Sequence, residues 1–280
     1  MKIVRLAFAA ALFLAAPAAA QEAEIWRDVA PENLWVIDTS KGRVLVELTP
    51  DVAPQSVERI QTLTRRGFYD GLTFHRVLRN FMAQTGDPLG TGAGNSDLPN
   101  VPGEFVFRRG RQPAFAQTPT TRAGSALEGL YGVMPVRTQP DAQMFVTADN
   151  RVDAMGLFCP GVTGMARSND PNSANSQFFL MTGVQSNLNG QYTPFGRVID
   201  GLDVVHSLKA GSEENDGAVT SDPDTMVRVR LAADMAQDER PRARVLDARS
   251  PRFAEVIAET QAERGTRFNV CDVIPPARID

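Results

Sequence analysis

The sequence is poor in the residues that carry most metal, redox and nucleophile chemistry. It holds two histidines, His75 and His206, and two cysteines, Cys159 and Cys271, in 280 residues. Ligands so few and so far apart do not make a metal site, and no cofactor is expected. An excess of positive charge is also missing. The formal net charge is −4, which argues against a nucleic-acid partner, because phosphate binding calls for a basic face. Arg108, Arg109 and Arg111 form one local basic cluster, read as solvated surface. Past the first twenty residues, no stretch is apolar enough to cross a membrane. There is no internal repeat, and glycine and proline are scattered, so low-complexity disorder is not indicated.

What is present begins with a secretory leader over residues 1–20. Lys2 and Arg5 supply the positive start, Leu6 to Ala16 is apolar, and Ala18, Ala19 and Ala20 are small residues suited to cleavage. The apolar run is too short to span a bilayer as a helix. A soluble exported chain starting near Gln21 is expected, with the periplasm as its compartment; the alternative is an uncleaved membrane anchor. There Cys159 and Cys271 can pair; the alternative is two buried thiols. A bridge across so long a loop is worth up to about 4.7 kcal/mol in the chain-entropy account.

Residues 21–33 read as a connector. Leu34–Thr39 and Arg43–Leu48 read as a hairpin about Ser40, Lys41 and Gly42. Asp51 and Pro54 open a helix that Gly67 closes, with Val57, Ile60 and Leu63 on one face. Short strands are expected at 73–77, 81–84, 161–166, 177–182 and 195–199. A short helix follows over 202–208, and a half-buried strand carries Val227, Val229 and Leu231. From about 106 to 160 the pattern weakens into an inserted lobe, with one plausible strand at 143–147. Residues 238–249 read as a connector. Ser250 and Pro251 start a helix running to Gly265, and 268–274 reads as a last strand. The glycine-rich loop Gly86–Gly94 is not a dinucleotide site, because no helix pattern opens after it.

Two runs carry the chemistry: FHRVLRNFMAQTGDPLGTGAG, ending at Gly94, and GMARSNDPNSANSQFF, starting at Gly164. With PFGRVIDGLDVV after them, they resemble the cyclophilin-type peptidyl-prolyl cis-trans isomerases. The resemblance covers roughly residues 34–235, interrupted by the lobe, with 236–280 as a C-terminal helical extension. It implies a mainly β fold: a closed eight-stranded antiparallel β-barrel capped by two helices, with a groove on its outer face. It also implies an isomerase acting on X–Pro bonds of exported, unfolded or flexible polypeptides and assisting their folding. A non-catalytic peptide-binding module or holdase chaperone on the same scaffold is the alternative.

Carried over by position, the catalytic arginine is Arg76, and Gln84 orients it or meets the substrate. His75 flanks the groove. Phe81, Met82, Phe179 and Leu188 form the proline slot, with Tyr192 at its edge. Gln177 is a polar groove residue, Gly90 and Thr91 border a neighbouring subsite, and Ala166 and Arg167 offer their backbone to the peptide. Asn187 stands where many members have tryptophan, so weak cyclosporin binding is expected. Arg167 replaces an asparagine common in eukaryotic members. The residue types suit the task. Rotation about X–Pro breaks no covalent bond, so it needs neither nucleophile nor metal. A fixed guanidinium can favour the twisted amide.

Overall fold

The computed structural model describes residues 24–119 and 126–280; the expected leader lies outside the described residues. Eight antiparallel strands form one curled sheet. Their order is Met226–Leu231, Leu34–Thr39, Gly42–Leu48, Pro194–Asp200, Val162–Met165, Phe178–Met181, Met82–Thr85 and Arg76–Leu78. Alternation along the strands sorts side chains into two cores. In Leu34–Thr39, Trp35 and Ile37 point into the concave side with Val44, Val46, Phe178 and Phe195. Leu34 and Val36 point outward, where Ala243 and Val245 of the C-terminal extension cover them.

The strand ladder does not close into the full barrel that the resemblance implies. Its two edges, Arg76–Leu78 and Met226–Leu231, meet through the chain just before each of them. Isolated bridges join Thr73 to Thr225 and Arg76 to Ala218, and the Met226 N–H donates to the Leu72 carbonyl at 2.8 Å.

The helix Pro54–Arg65 lays Val57, Ile60 and Leu63 into the concave core, and Trp35 Nε1 donates to Thr64 Oγ1 at 2.9 Å across that contact. Asp51 does not cap it. Its N-terminal amides at Gln55 and Ser56 donate instead to the Glu104 carboxylate, each at 2.9 Å. This long-range cap satisfies donors the helix cannot satisfy itself and fixes the chain where it enters the lobe. The second helix is Leu202–Ser207.

The lobe is more regular than its sequence suggests. It is a five-stranded antiparallel sheet in the order Phe107–Arg109, Val152–Gly156, Met134–Thr138, Leu127–Tyr131 and Phe115–Gln117. The expected strand at 143–147 is instead part of a 3-10 helix, Asp141–Val146. The basic cluster is not all solvated. Arg109 is buried, and its Nε donates to Thr138 Oγ1 at 2.9 Å. Arg108 pairs with Asp149 and Asp153.

Four further expectations are corrected. The two connectors contain strands: Trp26–Asp28 pairs with Ala243–Leu246, which also pairs with Ala277–Ile279. Residues 268–274 hold a 3-10 turn, Val270–Asp272, and the strand comes later. Val227 is 58% exposed because a bulge between Met226 and Arg228 turns it out. The helix Pro251–Arg264 forms where expected, but Ser250 is not its side-chain cap; its hydroxyl accepts from the Ile25 N–H at 3.2 Å. Cys159 and Cys271 are joined as a disulfide, with Cα atoms 5.0 Å apart. Among the described residues no helix is long and apolar enough to cross a membrane.

Candidate active site

One cross-strand row builds the site. Arg76 pairs with Gln84, Gln84 with Phe179, and Phe179 with Gly164. Paired residues project to the same face of an antiparallel sheet, so an arginine, an amide and an aromatic ring stand side by side there. Gly164 ends the row with no side chain. A Cβ there would lie 2.5 Å from the Phe179 ring and 2.7 Å from the Phe158 ring. Glycine therefore lets those two rings pack, with centroids 5.7 Å apart.

The slot beside this row has a volume of about 110 Å³. Phe81, Met82, Phe179 and Leu188 give it apolar walls, with Tyr192 and Ala166 at the edge. Met82 and Phe179 also belong to the hydrophobic core shared with the lobe and the C-terminal extension. Phe81 is held in the turn by its carbonyl, which accepts from the Thr182 N–H at 2.9 Å. Leu188 ends a short 3-10 turn, and the adjacent Asn189 Oδ1 accepts from the Phe158 N–H at 2.8 Å.

Arg76 is fixed on three sides. Its Nη1 donates to Gln84 Oε1 at 3.2 Å, its Nε to the Asp216 carbonyl at 2.9 Å and its Nη2 to Asp216 Oδ1 at 2.8 Å. The guanidinium carbon lies 5.7 Å from the Phe81 ring centroid. The amides continue the relay: Gln84 Nε2 donates to Gln177 Oε1 at 3.0 Å. Gln177 Nε2 donates to the carbonyls of Gly92 and Gly94 at 3.0 and 2.8 Å. Gln177 spends both donors and its acceptor on neighbours, and Gln84 its acceptor and one donor, so the orientation of Arg76 is set from behind.

A second, polar recess of about 380 Å³ adjoins the slot, and Gln84, Ala166 and Arg167 line both. The Ala166 N–H stays in the sheet, donating to the Gln177 carbonyl at 2.9 Å. Gly90 and Thr91 line neither recess. Gly92 and Ala93 do so instead, because Asp87 folds the loop over itself by accepting N–H bonds from Leu89, Thr91 and Gly92 at 2.7, 2.8 and 2.5 Å. Burial works to raise the Asp87 pKa, but these amides outweigh it and hold the carboxyl below its usual range.

His75 is also absent from the slot. It is 7% exposed, and neither ring nitrogen has a hydrogen-bond partner among the described residues. Burial lowers its pKa, opposed by nearby Asp87. Asn187 is exposed and lines neither recess.

Three contributors were not legible beforehand. Asp216 is 140 residues from Arg76 and sits in no quoted motif. Asp87 lies inside a motif, but only the folded loop reveals its role as an anchor. Phe158 lies in the weakly patterned lobe.

The fold thus places an arginine, an amide and an apolar slot on one face of a curled antiparallel sheet. The family described as Cyclophilin type peptidyl-prolyl cis-trans isomerase/CLD matches residues 34–231, and the chain belongs to it. Members of this family act on proline-containing peptides. The chain is 35% identical over 245 residues to a "Probable peptidyl-prolyl cis-trans isomerase" of Brucella suis, covering 84% of this chain and 99% of that one. It is 31% identical to "Peptidyl-prolyl cis-trans isomerase-like 1" of Rhizopus delemar, covering 62% and 78%. The cyclophilin AquaCyp293 from Hirschia baltica superposes with a TM-score of 0.80 at 36% identity, covering 91% of this chain and 93% of that chain.

Proposed function

We propose that this isomerase acts on X–Pro bonds of exported polypeptides and assists their folding in the periplasm, with Arg76 as its catalytic group. The observation that carries the reading is the clamped Arg76 guanidinium at the rim of the Phe81, Met82, Phe179 and Leu188 slot. The X–Pro amide resists rotation by about 18–20 kcal/mol and turns over in tens to hundreds of seconds unaided. As it twists, resonance is lost and the proline nitrogen gains lone-pair character. A guanidinium aimed at that nitrogen binds the twisted amide more strongly than either planar form, and that difference accelerates rotation.

The slot holds the proline ring while the preceding residue swings. The Arg167 N–H and C=O take no backbone partner among the described residues, so they are free to pair with an extended peptide. Gln84 is the orienting group for Arg76. The exported setting is supported by the leader-like residues 1–20.

The test is a proline-limited refolding assay together with a peptide isomerisation assay. Arg76→Ala is expected to lower kcat/KM roughly 100-fold, the removal of about 2.7 kcal/mol of transition-state stabilisation. Equal rates for the two proteins would remove Arg76 from its role. Peptide binding by the wild type without acceleration would favour a holdase. For the compartment, mass spectrometry of protein from a periplasmic extract should show a chain starting near Gln21; an intact N-terminus in the cytosol would contradict it.

A further inference from the structure

Two guanidinium groups border the slot, and they differ in one respect. Arg76 has a carboxylate partner, Asp216. Arg167 has none within 4.0 Å among the described residues. Its three engaged N–H groups all donate to carbonyls: Nε and Nη2 to Gln191 at 3.0 and 2.8 Å, and Nη1 to Ser168 at 2.8 Å. Carbonyl partners orient a guanidinium without cancelling its charge. A guanidinium has five N–H donors, so two remain for a ligand.

The group is also held in place from the side. Its carbon lies 4.4 Å from the Tyr192 ring centroid and 6.0 Å from that of Phe105, a stacked arrangement that limits its rotamers. It stands where the apolar slot meets the polar recess. Among the described residues no carboxylate lines either space, and Arg167 is the one charged residue of the polar recess. The carboxylate on its own loop, Asp170, turns inward to accept the Asn172 N–H at 2.9 Å.

We infer that Arg167 is a specificity-determining residue: it selects X–Pro segments that carry an acidic side chain within two residues of the proline, taking that carboxylate at the mouth of the polar recess. The inference rests on the prolyl-isomerase reading of the slot. A carboxylate arriving there meets a positioned cation with free donors and no competing acid. A lysine side chain at the same place meets like charge. A neutral side chain finds the amides and hydroxyls of Gln84, Asn95, Asn100 and Ser173, so neutral segments remain substrates of intermediate quality.

The experiment uses the full exported chain and short X–Pro peptides that differ in one residue. Glu, Gln or Lys is placed in turn at each of the two positions before the proline and the two positions after it, and kcat/KM is measured at low and at high salt. At one of these positions the wild type should prefer Glu over Lys by roughly tenfold at low salt, and added salt should shrink that ratio. Because the readout is a ratio within one protein, a general change in activity cancels. Arg167→Gln should bring the ratio close to one. Arg167→Lys, which keeps the charge but loses the planar stacked fork, should retain part of it. A wild-type ratio near one at every position overturns the inference, as does a ratio that survives unchanged in Arg167→Gln. Failure of the wild type to accelerate any peptide, neutral ones included, would instead bring down the isomerase reading and this inference with it.

Discussion

At the scale of single residues, position in a strand decides what a side chain can do. Arg76 and His75 are adjacent in sequence, yet Arg76 lines the slot and His75 is buried away from it. Arg76 is clamped by Gln84 on one side and Asp216 on the other. Asp216 is a positioning residue: its side chain is 79% exposed, so it steers the guanidinium more than it stabilises the fold.

His75 has the opposite balance. Its imidazole is buried without a hydrogen-bond partner among the described residues, and burial lowers its pKa. The unfolded chain therefore takes up the proton first. Stability from this group is complete above about pH 6.5 and declines as pH falls through that value toward the lowered folded pKa. Urea midpoints at pH 7.5 and 5.5 should drop less in His75→Gln than in the wild type. An equal drop in both would mean that His75 is not the responsible group.

At the scale of elements, the loop Gly86–Gly94 behaves as a folded unit. One carboxylate, Asp87, gathers three of its amides, and Gln177 ties its far end to the sheet. The loop walls the polar recess through Gly92 and Ala93. Asp87→Ala should release those amides. Hydrogen exchange should then speed up at Leu89, Thr91 and Gly92, and KM for peptides should rise several-fold with a smaller change in kcat. Unchanged exchange at these amides would refute the anchoring role. The lobe strands show why this part of the chain was hard to read. They are three to five residues long and carry Arg108, Arg109, Glu128 and Arg137, so no period-2 apolar pattern emerges. The longer strands at 34–39 and 42–48, rich in Val, Leu and Ile, were plain in the sequence because both of their faces are covered.

At the scale of the whole molecule, the slot stands on a core that belongs to three parts of the chain. Phe179, Met82 and Leu188 pack into one cluster with Phe107, Leu130 and Phe158 of the lobe region and with Phe253, Phe268 and Val273 of the extension. Two further ties cross the same junction. The Cys159–Cys271 disulfide closes a separation of 112 residues. Arg197, 1% exposed on a strand of the curled sheet, donates to the Val133 carbonyl at 3.0 Å and to the Val273 carbonyl at 3.2 Å. Burial pushes its pKa down to about 10. Arg197→Ala would leave a cavity and strand two buried carbonyls, so a loss of about 3–5 kcal/mol in unfolding free energy is expected. Denaturant titration measures it; a loss below about 1 kcal/mol would show that the junction does not depend on this side chain.

The sequence by itself determined the family and marked out Arg76 and three of the four slot walls, Phe81, Met82 and Phe179, because these lie in two continuous runs whose order and spacing are visible without folding. It also showed the helix and the long buried strands, where hydrophobic period and covered faces coincide. Only the tertiary structure decided that Gly92 and Ala93 line the recess, that Asp216 holds Arg76, and that Arg167 stands as a cation without a counter-ion among the described residues. Those facts depend on contacts between residues distant along the chain, and on which face each backbone turn presents. Neither is encoded in local pattern, because hydrogen bonds and charge pairing act through space, between groups that the fold alone brings together.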